Sequence, residues 1–128
     1  MTDYVNSPAS PAAAPRAGAP PAIDLVHLAE MTLGDRGLQR EVLELFDRQA
    51  ELLLARMRKA EPPGVASLAH TLCGSARSIG AWRVAAAAEA LERSAAEHRE
   101  RPRLAHLLEA VAEARGAIAG LTDLRGPA

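Results

Sequence analysis

Residues 65–81 read VASLAHTLCGSARSIGA, and their spacing decides the architecture. On a wheel at about 100° per residue, Val65, Leu68, Ala69, Leu72, Ala76 and Ile79 gather on one side, which predicts a helix with one face in a core. His70 falls roughly 150° from the centre of that face and points to solvent. Its helical neighbours are Ala66, Ser67, Cys73, Gly74 and Arg77, and all but the arginine are small. A glycine inside a helix costs roughly 0.5–1 kcal/mol relative to alanine. Gly74 stands one turn after the outward histidine, where a side chain would crowd the ring. A face of small residues around a reactive group suits the approach of another protein.

The pattern extends in both directions. Asp24 is an N-cap candidate for a short helix over residues 24–33 that ends near Gly34. A second helix follows from about Gly37 to Ala60, with Leu38, Val42, Leu45, Phe46, Gln49, Leu52, Leu53 and Met57 at helical spacing. Glu61, Pro62, Pro63 and Gly64 break it. The helix carrying His70 runs from about Val65 to Ile79 and stops at Gly80. A fourth runs from about Trp82 to His98 with Val84, Ala88, Leu91 and Ala95 inward. Pro102 can begin a fifth, which keeps Leu104, Leu107, Leu108, Val111, Ala114, Ile118 and Leu121 on one side. No strand-like alternation of useful length occurs, and short connections favour antiparallel neighbours. The expected fold is all-α: an up-and-down four-helix bundle over residues 22–122, with a short additional N-terminal helix at one end.

Residues 1–21 hold five of the nine prolines and read as a disordered Pro/Ala-rich tail. Residues 123–128 read as a flexible C-terminus. The 128 residues suffice for one compact domain. Apolar residues make up 48% and aromatic ones 2%, so the core must be built from Leu, Val, Ile and Ala. That composition favours closely packed helices. Net charge is −1, which gives no electrostatic reason to expect nucleic acid or an anionic membrane as partner. No apolar run reaches the ~18–20 residues that span a bilayer, and no secretory signal is visible. One cysteine permits no intrachain disulfide. Together these point to the cytoplasm.

His70 is the candidate nucleophile. An unperturbed imidazole is mostly neutral at cytoplasmic pH, and a ring nitrogen can attack an acyl phosphate. His70 and Cys73 are two potential ligands and do not make a closed metal site, so no metal is expected. Cys73 reads as a small neutral residue at the rim rather than a redox switch. His27, His98 and His106 lack the small-residue surroundings and receive no catalytic role. Gly34, Gly64 and Gly80 read as helix stops, and Trp82 as a packing or rim aromatic.

The segment His70–Ala81 resembles the signature of histidine phosphotransfer (HPt) domains of two-component phosphorelays. That signature sets an apolar residue two positions and a lysine three positions after the phosphorylated histidine. A glycine and small residues follow, and a glycine-alanine pair closes the helix. Leu72, Gly74, Ser75, Ala76, Gly80 and Ala81 match, and Leu25, Leu28, Gly34, Leu38, Leu45 and Phe46 fit the first two helices. The resemblance covers about residues 22–122. It implies a phosphocarrier in which phospho-His70 relays a phosphoryl group between receiver-domain aspartates. Partners would be receivers of a response regulator or hybrid histidine kinase, which bring their own Mg²⁺. The module itself would be a monomer with no cofactor. No Gly-rich phosphate loop is present, so no ATP site is expected. Ala66, Ser67, Cys73, Gly74 and Arg77 would form the receiver-docking face. Cys73 departs from the pattern, because a thiol cannot supply the lysine's charge. Arg77 is the candidate for charge stabilisation in its place. That departure also motivates an alternative: a degenerate HPt-fold adaptor that binds a receiver without phosphotransfer.

Overall fold

The computed structural model describes residues 20–125, which excludes most of the tail and residues 126–128. Among them it contains five helices: α1 (Leu25–Met31), α2 (Arg36–Met57), α3 (Pro62–Ile79), α4 (Trp82–Ala95) and α5 (Glu100–Arg125). The fold is the expected all-α bundle of four longer helices with a short N-terminal one.

Local chemistry explains the boundaries. The Asp24 carboxylate accepts from the His27 N–H at 3.1 Å and opens α1. Asp35 does the same for α2, accepting from the Leu38 N–H at 2.9 Å. Each satisfies one of the donors a helix start leaves orphaned. Pro62 and Pro63 fall inside the first turn of α3 rather than ahead of it, where a missing N–H costs nothing. At the other end Gly80 takes a left-handed φ of +80°. A Cβ there would lie 3.0 Å from both Cβ and carbonyl oxygen of Asp24. Only glycine lets α1 meet the end of α3 this closely, and the Asp24 N–H donates to the Gly80 carbonyl at 2.9 Å. The last helix begins two residues before Pro102 and continues to Arg125, beyond the expected limit at 122.

The core is aliphatic and rich in alanine. Ala69 and Ala76 of α3 and Ala85 and Ala88 of α4 are buried, and α3 and α4 are the most extensively packed pair of helices. Small side chains let these backbones approach closely. Leu43, Phe46, Leu53 and Met57 from α2 and Leu107, Val111 and Ile118 from α5 complete the core. Side-chain bonds tie α2 to its neighbours. Ser75 donates to Gln49 Oε1 at 2.8 Å, and Arg115 Nε donates to Asp47 Oδ1 at 2.6 Å. The Asp47 carboxylate also raises the Arg115 pKa above its ordinary value.

The apolar spacing of α2 misplaces three residues. Leu38, Leu45 and Leu52 are 40, 57 and 56% exposed. Seven-residue spacing drifts around a helix by about 20° per repeat, and α2 carries more leucines than one face can bury. Leu43, Ala50 and Leu54 take the inward places instead.

Candidate functional site

His70 projects from the middle of α3 with its side chain 78% exposed. The backbone beneath it is held by the buried stripe Val65, Ala69, Leu72, Ala76 and Ile79. Leu68, placed on that stripe by its spacing, is only partly buried against it.

The ring has a partner on α4. His70 Nδ1 lies 3.3 Å from both carboxylate oxygens of Glu92 on α4. Glu92 follows the fully buried Leu91, and so sits at the edge of the face that α4 presses into the core. A neutral ring that donates from Nδ1 to this carboxylate carries its lone pair on Nε2. Glu92 was not among the sequence candidates. Folding the chain about the Gly80–Ala81 turn brings position 70 opposite 91 and 92, a register that helix periodicity alone does not report.

A second contact between the same helices lies lower on this face. Arg77 Nη2 is 3.5 Å from Glu89 Oε1, and Glu89 also receives Arg93 at 3.6 Å. The candidate stabilising cation is thus already engaged by a carboxylate.

Of the other residues assigned to this face, Ser67 and Gly74 are exposed and Ala66 is half-buried. A Cβ on Gly74 would meet nothing within 4 Å. Internal packing therefore does not require the glycine, and the surface beside His70 is open. Cys73 is a correction: it is 6% exposed and belongs to the core. It lies between His70 and Arg77, whose side chains both meet carboxylates of α4, and only a neighbouring helix, not the wheel of α3, decides which flank is covered. A buried thiol lines no docking surface and is a poor redox sensor.

Trp82 is tied to the bundle rather than to His70. Its Nε1–H donates to Asp24 Oδ2 at 2.8 Å, and its ring meets His27 edge-on with centroids 4.8 Å apart. The Trp82 bond, followed by the His27 N–H, holds the Asp24 carboxyl below its ordinary pKa of 3.8.

An open groove of about 650 Å³ runs between α2 and α5, lined among others by Asp47, Arg115, Gly116 and Thr122. It includes none of the residues around His70. Among the described residues no three His, Cys, Asp or Glu converge as a metal site. No helix among them is long and apolar enough to cross a membrane.

No curated protein and no solved structure matches the chain. The family model for the Hpt domain matches residues 38–119, well over half of the chain. The matched span begins in the first turn of α2, ends within α5, and takes in His70, Gly74 and Glu92. The chain therefore belongs to the Hpt domain family, whose members serve histidine phosphotransfer in phosphorelays.

Proposed function

We propose that this protein is a phosphocarrier that takes a phosphoryl group from a receiver-domain aspartate onto His70 and delivers it to a second receiver. The observation that carries this reading is the exposed imidazole with Nδ1 against Glu92 and Nε2 directed away from it.

In the transfer step the Nε2 lone pair attacks phosphorus. An N–P bond forms, the P–O bond to the aspartyl carbonyl carbon's oxygen breaks, and its electron pair leaves with the carboxylate. The Nδ1 proton stays in its hydrogen bond. Glu92 offsets the positive charge that develops on the ring, as a carboxylate does behind the histidine of hydrolytic triads. Glu92 is thus a positioning residue and His70 the catalytic one. The receiver supplies Mg²⁺, and positioning and electrostatics supply most of the catalysis. Ala66, Ser67, Gly74 and Arg77 form the docking face. The carrier acts as a monomer in the cytoplasm, a reading consistent with one free, buried cysteine.

Incubation with a radiolabelled phospho-receiver tests this. An acid-labile, base-stable label on wild type and none on His70→Gln is the expected result. Receiver binding without label on folded wild-type protein would overturn the carrier and leave the non-transferring adaptor.

A further inference from the structure

Building on the phosphocarrier reading of His70, we infer that Glu89 holds Arg77 in reserve as the counter-charge of the phosphorylated histidine, and that phosphorylation moves Arg77 from Glu89 to the phosphoryl oxygens. Glu89 is then a positioning residue that sets how much of this cation the site receives.

The need for a cation follows from the charges. A phosphoryl group brings about −1.5 to −2 to a ring whose other nitrogen already lies 3.3 Å from the Glu92 carboxylate. Cys73 is buried and a thiol carries no positive charge, so the turn directly after His70 supplies no cation. Arg77 is the only lysine or arginine on α3.

The reach is feasible. Positions 70 and 77 are two turns apart on nearly one line, roughly 10 Å along the axis. Helical side chains lean toward the N-terminus, so an arginine head stands about one turn nearer to His70 than its own Cα. Its contact with Glu89 agrees with that lean. Glu89 lies on α4 one turn from Glu92, the residue that meets His70.

The exchange is also inexpensive. Arg77 and Glu89 are 58% and 49% exposed at 3.5 Å, and such pairs are readily released. Arg93 remains on Glu89 at 3.6 Å when Arg77 leaves, so the carboxylate keeps a partner. The phosphoryl group offers more charge and more acceptor oxygens than the carboxylate it replaces.

The test uses wild type, Glu89→Gln, Arg77→Gln and the double variant. Each is phosphorylated with phosphoramidate, a small donor that needs no receiver, and followed by ³¹P NMR against pH. Nearby positive charge lowers the midpoint at which the phosphoryl group takes up a proton. Arg77→Gln should raise that midpoint. Glu89→Gln should lower it and speed transfer from a phospho-receiver about threefold, and both effects should vanish in the double variant. Arg77→Lys should partly restore the wild-type midpoint. Equal effects of Glu89→Gln with and without Arg77 would overturn the exchange, since the carboxylate would then act only through space. An unchanged midpoint in Arg77→Gln would overturn it as well. Wild type that takes no label on His70 from either donor would overturn the carrier reading itself, and the exchange with it.

Discussion

His70 and Glu92, 22 residues apart in sequence, meet across the α3–α4 seam at 3.3 Å. The contact selects which ring nitrogen faces outward. Glu92→Gln keeps the shape and loses the charge. The proton should remain on Nδ1 in wild type, read from ¹⁵N shifts of the unphosphorylated protein, and the tautomers should mix in Glu92→Ala. Losing a charge-assisted bond of about 1.5 kcal/mol predicts transfer about tenfold slower in Glu92→Ala. Identical ring shifts in wild type and Glu92→Ala would show that the carboxylate does not orient the imidazole.

Gly74 separates stability from function. With open space where its Cβ would lie, Gly74→Ala should stabilise the protein by about 0.5–1 kcal/mol in urea melts. Gly74→Leu should fold normally and lose receiver affinity. Undiminished affinity in that variant would remove this face from the interface.

Cys73 should resist a thiol reagent in the native state and react quickly in denaturant. Rapid native labelling would contradict its burial. Cys73→Lys, which installs the lysine that the resemblance expects at this position, must carry its stem out of the core to place the amine in water. It should lower stability by roughly 1–3 kcal/mol and speed transfer.

The leucines of α2 divide by position. Leu53→Ala should cost about 2–5 kcal/mol, whereas Leu45→Ser, at a 57% exposed site, should stay within about 0.5 kcal/mol of wild type. Chemical denaturation of the two variants decides the point.

Asp24 gives a pH signature. Its bonds to Trp82 and the His27 N–H depress its pKa in the folded state. The stabilisation is therefore present above the unfolded carboxylate range and is lost as pH falls through the folded value. Trp82 fluorescence should report α1 loosening only at pH below the ordinary carboxylate range, and Asp24→Asn should abolish that transition.

Much of this was legible in the sequence because it is local. The Asp24 cap, the stop at Gly80, the inward stripe of α3 and the outward His70 each depend on a few neighbouring residues. The exposure of Leu38, Leu45 and Leu52 was not legible, since a helix with several apolar flanks does not announce which one its neighbours will cover. Cys73 failed for the same reason, on α3. Glu92 and Glu89 required the register between two helices, which no single periodicity contains. Arg77 was recognisable as the one cation on α3, but not as a residue already in partnership.

The helix that carries His70 is restrained at both ends. Prolines with fixed φ start it, and Gly80 locks its far end against the backbone of Asp24. Such a mounting acts like a fixed post. The histidine can swing only through its own side-chain torsions, so orientation during an encounter falls to the incoming receiver. Discrimination among receivers then depends on the fit of their surfaces to a rigid target, and a poorly matched receiver cannot be accommodated by bending the post.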